Sequence, residues 1–153
     1  MQENTTEKQK QAGVTNMLTY ITTCYNDALL LDHLSSLLKE CNDERFRMII
    51  VDDYSDVSIQ PQIKAWNDSR VSLFRIKEDK GFNSHGARNL AMQHTTTEWN
   101  VLIDIDYKLV GVNDLIEQLN NNEYEVDTPH FFGVTHTHAG KTQVGRASIN
   151  DFL

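Results

Sequence analysis

The sequence has little of what marks the specialised classes of protein. Two cysteines, Cys24 and Cys41, stand among 153 residues without CxxC spacing, which excludes a zinc knuckle and a disulfide framework. Both are read as reduced core residues. With two prolines there is no Pro-rich linker, and a single domain is expected. No apolar run approaches the roughly 18 residues of a membrane span, and the start lacks the basic-then-apolar layout of a signal peptide. The expected location is cytoplasmic. Cations are also scarce, with 14 Lys and Arg against 22 Asp and Glu for a net charge of -8. Nucleic acid is excluded as a partner, because binding to a phosphate backbone rests on clustered Lys and Arg. An anionic ligand has to be met by local donors.

What the sequence does have is a series of short apolar runs alternating with helical patterns. "MLTYITT" (17–23) reads as a strand, after which Leu30, Leu34, Leu37, Leu38 and Cys41 recur at helical spacing. "FRMIIV" (46–51) and "VSLFRI" (71–76) give two more strands around a weaker helical segment at 59–66. A Gly-containing turn leads to a helix over 84–94, "WNVLID" (99–104) to a fourth strand, and "VNDLIEQL" (112–119) to another helix. "HFFGVTHTH" and "KTQVGRASI" read as one or two further strands. Strands separated by helices predict right-handed crossovers and an α/β domain with a mainly parallel sheet flanked by helices. The polar opening residues predict a flexible segment over 1–13, with the folded domain spanning 14–153.

In such a sheet ligands bind at the carboxyl ends of the strands, near a switch in strand order. Each strand here runs into polar residues. Thr22, Thr23, Tyr25 and Asn26 follow the first, Asp52 and Asp53 the second, "KEDKGFNSHGARN" the third, and Asp104 and Asp106 the fourth. Taken alone each has an ordinary reading, as a helix cap at Asn26, Asp27 or Ser84 or a turn at Asp52-Asp53. Their arrival at one edge favours a shared ligand. Asp104 and Asp106, two apart at the end of a strand, are expected to point to one side and to repel, which a cation relieves. Oxygen-only ligands suit magnesium or manganese completed by substrate phosphates. The pair is expected to hold a metal that bridges to a diphosphate.

"YITTCYND", "IIVDDYSD", "DKGFNSHGARNLAM" and "EWNVLIDID", in this order and at these spacings, resemble the successive signatures of the family 2 glycosyltransferases of the GT-A fold. The resemblance covers about residues 15–110. Tyr54 stands where the family often has Gly, and Asp79 where it often has Asn. A Rossmann-like GT-A domain that binds a nucleoside diphosphate sugar, most often a UDP-sugar, and transfers the sugar to an acceptor hydroxyl is what the resemblance implies. It also implies roles. Thr23, Tyr25 and Asn26 would line the nucleoside pocket, and Asp52 or Asp53 would accept a hydrogen bond from a uracil-like imide or a ribose hydroxyl. Lys80, Gly81 and the stretch from Gly86 through Arg88 to Asn89 would border the nucleotide, Arg88 being equally suited to a structural ion pair. Asp104 would meet ribose or metal and Asp106 the metal, Mn2+ or Mg2+.

In inverting relatives the catalytic base comes from the second half of the domain, and here 47 residues follow Asp106. Most of the usual acceptor half is therefore expected to be missing from 14–153. Asp127, His136, His138 and Asp151 are the candidates for a base or an extra metal ligand, His136 and His138 sharing one face of an expected strand. The alternative to an enzyme is a nucleotide-diphosphate-binding module that does not transfer alone and needs a homo-oligomer or a partner chain for its acceptor half. Phosphoryl-transfer classes fit less well. Lys108 stands where an Asp-x-Asp phosphatase wants Thr or Val, and Ala87-Arg88 where a P-loop wants Gly-Lys.

Overall fold

The structure, a computed structural model, describes residues 17–121, 134–138 and 141–145. The segment 1–13 and the candidate bases Asp127 and Asp151 lie outside the described residues. Four strands, β1 (Leu18–Cys24), β2 (Phe46–Asp52), β3 (Val71–Arg75) and β4 (Trp99–Leu102), form one sheet in the order β3-β2-β1-β4. Every pairing in it is parallel. β1 reads LTYITTC, β-branched and aromatic through most of its length, the composition of a strand covered on both faces. Its register sets Cys24 opposite Asp52 and Ile21 opposite Leu102, so polar groups at the strand ends come to one edge.

Between the strands run a 3₁₀ turn (Ala28–Leu31) leading into α1 (Asp32–Glu40), then α2 (Gln60–Ala65), α3 (Ser84–Gln93) and α4 (Val112–Asn120). Leu31, Leu34, Leu37 and Leu38 are all buried, the apolar stripe of a helix lying on a sheet. Leu18, Tyr20 and Cys24 of β1 join this layer with Phe46, Met48 and Ile50 of β2 and with the apolar faces of α1, α2 and α4. Alternate residues point the other way. Ile21, Ile49 and Val51 meet Ala87 and Ala91 of α3, whose small side chains let that helix lie close against the strands. The result is the Rossmann-like α/β architecture expected from the sequence.

The fourth strand departs from expectation. It ends at Leu102 rather than at Asp104, although the Ile103 N–H still reaches the Ile21 carbonyl at 3.0 Å. Beyond that the Tyr107 N–H bonds back to the Asp104 carbonyl at 3.0 Å, closing a turn. Asp104 and Asp106 therefore share a side not as strand neighbours but as the outward positions of a turn. Ile103 and Ile105 are held in the core at 4% and 7% exposure, while both aspartates are exposed. At the C-terminal end β5 (Val134–His138) and β6 (Lys141–Gly145) form an antiparallel pair.

Arg70 ties the start of β3 to the end of α1. Its guanidinium donates to the carbonyls of Leu38 at 2.7 Å and Cys41 at 2.8 Å while pairing with Asp68 at 2.7 Å. Orphan carbonyls at a helix C-terminus are thereby satisfied. The hydrogen bond from Arg70 holds the Asp68 carboxyl below its ordinary value of 3.8. Cys24 and Cys41 are free and buried, and burial pushes both thiols up, so they form little reactive thiolate.

Two stability outcomes are expected. Because the folded Asp68 carboxyl is depressed, its contribution is fully present above its unfolded value and is lost as pH falls through the folded one. Asp68→Asn should therefore be less stable than wild type at pH 7, with the difference shrinking below about pH 3.8, as urea midpoints at stepped pH would report. Tyr20 is fully buried and its hydroxyl has no hydrogen-bond partner among the described residues. Tyr20→Phe should leave stability unchanged or raise it by about 1 kcal/mol, and a clear loss in thermal unfolding would contradict that.

Candidate functional site

The chain runs outward from β1 through β2 to β3 and then returns to the far side of β1 to make β4. The switch in strand order thus falls between β1 and β4, where a crevice opens beyond the strand ends. A cleft of about 420 Å³ lies there, walled by Thr23, Tyr25, Asp27, Leu30, Phe82, Ser84 and the Asp104-Ile105-Asp106 turn. Its chemistry is divided. Tyr25, Leu30 and Phe82 offer apolar surface, Phe82 being 85% exposed, whereas Asp27, Asp104 and Asp106 make the other part acidic. Of the residues expected to bind nucleotide or metal, the cleft brings together Thr23, Tyr25, Asp104 and Asp106.

The others are not part of its lining. Asp52 is 1% exposed and both its oxygens are engaged, one by the Ser55 N–H at 2.8 Å and one by Arg75 at 2.6 Å. Arg75 also donates to the Ser55 carbonyl at 2.7 Å and lies over the Tyr54 ring, 5.7 Å from its centroid. Tyr54 has φ +65°, a left-handed conformation that costs a residue other than Gly about 1 kcal/mol. That conformation accounts for Gly as the common residue at this place. The guanidinium on both the carboxylate and the ring offsets the strain here.

Asp53, 3% exposed, accepts the Asn83 N–H at 3.1 Å, joining the turn after β2 to the start of α3. Its second oxygen has only a 3.5 Å contact with the Asn83 amide and keeps acceptor capacity. Asn26, at φ +57°, accepts the Asp56 N–H at 2.8 Å and donates its own N–H to Ser55 Oγ at 3.0 Å. It locks the loop after β1 to the loop after β2. Lys80 is exposed and pairs with Glu78. Gly81 has φ +66° and donates its N–H to Asp79 at 2.7 Å, and Asn89 is an exposed residue of α3. Gly86 passes so close to Asn83 that a Cβ there would sit 2.3 Å from the Asn83 amide oxygen. Arg88 pairs with Asp104, which places a guanidinium beside the acidic turn.

Neither Asp27 nor Asn83 makes a side-chain cap bond to the helix it precedes, so the ordinary alternative of a helix cap at Asp27 does not apply. Phe82, Arg75 and His33 are not among the residues to which the sequence motifs assign a role. Phe82 had a signal, an aromatic residue beside a glycine in a loop. His33 had none, because its partner is the Ile105 carbonyl, 2.5 Å from Nε2 and 72 positions along the chain.

Asp104 and Asp106 supply hard oxygen donors. No cluster of three or more His, Cys, Asp or Glu that could hold a metal occurs among the described residues. Two carboxylates are fewer ligands than a site made of protein alone needs, and magnesium and manganese commonly take the rest from water and a bound anion. His136 and His138 lie in β5, opposite Gln143 and Lys141, and their side chains lie outside the described set.

A parallel sheet with a half-apolar, half-acidic cleft at its switch point is the architecture of a Rossmann-like α/β domain. The family model for glycosyl transferase family 2 matches residues 19–145, and the chain belongs to that family. Solved structures agree in fold. S. aureus TarS residues 1–349 superposes with a TM-score of 0.61 at 19% identity, over 70% of this chain and 33% of that one. The mannosyltransferase PcManGT from Pyrobaculum calidifontis, solved with GDP-Man and Mn2+, gives 0.57 at 21% identity over 72% and 33%. The S. aureus TarS structure with UDP-GlcNAc gives 0.60 at 18% identity over 70% and 32%. The chain spans about a third of the length of these structures. No curated protein matches it significantly. Among the described residues no helix is long and apolar enough to cross a membrane.

The Asp52–Arg75 pair has a measurable weight. Arg75→Met leaves a buried carboxylate without its counter-charge and should cost about 3 kcal/mol. The double variant with Asp52→Asn should recover more than half of that, as a double-mutant cycle in urea would show.

Proposed function

We propose that this chain is the donor-binding part of a metal-dependent glycosyltransferase whose substrate is a nucleoside diphosphate sugar, with uridine as the expected base. The observation that carries the reading is the meeting of Tyr25 with Asp104 and Asp106 in one cleft at the strand-order switch. An aromatic face suits a base, and the acidic turn suits a cation bound to a diphosphate. Solved relatives support the ligand class, one holding UDP-GlcNAc and one GDP-Man with Mn2+. On this reading Tyr25 stacks on the base, Thr23 borders the nucleoside, and Asp53 accepts from the imide N–H with its under-used oxygen. Asp106 would hold Mn2+ or Mg2+. Asp104 would be a second ligand or the acceptor for a ribose hydroxyl. When bound, the metal supplies positive charge to the departing diphosphate. Arg88 adds a second cation at the same place, freed for phosphate oxygen when Asp104 turns to the ligand. Asn26, Lys80, Gly81, Gly86 and Asn89 are assigned to shaping or bordering the nucleotide side rather than to chemistry.

A second reading, a donor-binding module that transfers only with a partner chain or a second copy supplying the acceptor side, is favoured by one feature. Among the described residues the acids on the cleft wall are Asp27, Asp104 and Asp106, and with the latter two assigned to the metal and ribose, Asp27 in the loop after β1 is the one left as a base. Transfer activity measured with and without candidate partner chains separates the two readings.

Calorimetric titration of UDP, with GDP and ADP as controls, tests the donor assignment in manganese and again in chelator. UDP should bind in manganese and lose at least about tenfold in affinity in chelator, a difference of about 1.4 kcal/mol. Asp106→Ala in manganese should fall to the chelator value. Unchanged affinity and metal dependence in that variant would remove Asp106 from the metal site, and a preference for GDP would overturn the choice of uridine.

A further inference from the structure

The acidic turn is held at three points. The Ile103 N–H bonds to the Ile21 carbonyl at 3.0 Å, and the Tyr107 N–H closes on the Asp104 carbonyl at 3.0 Å. Between them the Ile105 carbonyl meets Nε2 of His33, on the first turn of α1, at 2.5 Å. A carbonyl oxygen only accepts, so Nε2 carries the proton and donates it. The peptide plane fixed by this bond joins Ile105 to Asp106, and its rotation would swing the Asp106 carboxylate. From beneath, the Ile105 side chain is buried at 7% exposure, which anchors the side chain without setting the plane of the peptide that follows.

We infer that His33 is a positioning residue for the acidic turn, one that orients the Ile105–Asp106 peptide so that Asp106 faces the cleft in a geometry ready for a cation. The inference rests on the donor-binding reading above for its ligand, and on the unliganded protein for its geometry. A ligating carboxylate is only as well placed as the group that holds its backbone, and a donor from a packed helix is more rigid than water. Asp32 and Leu34 on either side of His33 have other tasks. The one sits in the first turn of α1, where its charge favours the helix dipole, and the other is a core residue with no exposure.

The test compares wild type with His33→Ala, His33→Gln and His33→Asn. Gln places an amide N–H near the position of Nε2, whereas Asn is too short to do so. In the unliganded proteins, amide hydrogen exchange at Tyr107 should speed up about tenfold in His33→Ala and His33→Asn, the effect of one hydrogen bond, and return toward wild type in His33→Gln. UDP affinity in manganese should fall by a similar factor in the same two variants, with affinity in chelator unmoved. Unchanged exchange over 104–107 in His33→Ala would overturn the inference. So would an acceleration spread evenly over α1 and the sheet, which marks general loss of stability rather than loss of position. Wild-type protein that binds no UDP would count against the donor assignment, while the exchange data would still decide the role of His33.

Discussion

Strand β1 is the member on which the rest of this domain depends. It pairs with β2 along its whole length and with β4 over Leu18–Ile21, and it has a packed layer on each face. A shift of one residue in its pairing would exchange Leu18, Tyr20 and Cys24 for Thr19, Ile21 and Thr23 between the two layers, and every side chain would face the wrong helix. The register is therefore strongly specified. With it comes the position of the cleft, because Thr23 and Tyr25 continue from this strand and the acidic turn continues from its neighbour.

The two halves of the cleft are stabilised by different means. On the side of Tyr25, loops after β1 and β2 are sewn together by polar contacts, namely Asn26 with Ser55 and Asp56, Asp52 with Ser55 and Arg75, and Asp53 with Asn83. Buried carboxylates carry this half, and their desolvation is tolerable only because each is hydrogen-bonded. On the side of the acidic turn the core does most of the holding, through Ile103 and Ile105. A network of charges gives a shape that few substitutions preserve, whereas an apolar anchor tolerates exchange of one aliphatic side chain for another.

Much of this was legible in the sequence. The period of the apolar residues gave the four parallel strands and four helices to within a residue or two, since strands buried on both faces appear as short continuous runs. The acids at the strand ends were visible as a set, and four of the proposed ligand-binding residues do meet in the cleft. The turn at Asp104 is not separable from strand by pattern, because the alternation of Ile103 and Ile105 with the aspartates is the same in either conformation. Pattern reports burial and not hydrogen bonding. For the same reason the engagement of Asp52 by Arg75 and of Asp104 by Arg88 was out of reach, because it depends on where β3 and α3 deliver their side chains. His33 was harder still, being one polar residue on an otherwise ordinary amphipathic helix.

The separation along the chain between β1 and β4 bears on how the domain assembles. β1, β2 and β3 pair in sequence order, so this sub-sheet can form as soon as residue 75 has left the ribosome. The far edge of β1 then has no partner until Trp99–Leu102 is synthesised and inserted. During that interval an apolar parallel strand exposes a row of unpaired backbone groups, the kind of edge that recruits other chains. Docking of β4 ends this exposure and in the same step builds the acidic turn. Pairing of the last strand of this sheet and formation of the acidic turn thus coincide, and a chain arrested before it would be both sticky and without the proposed site.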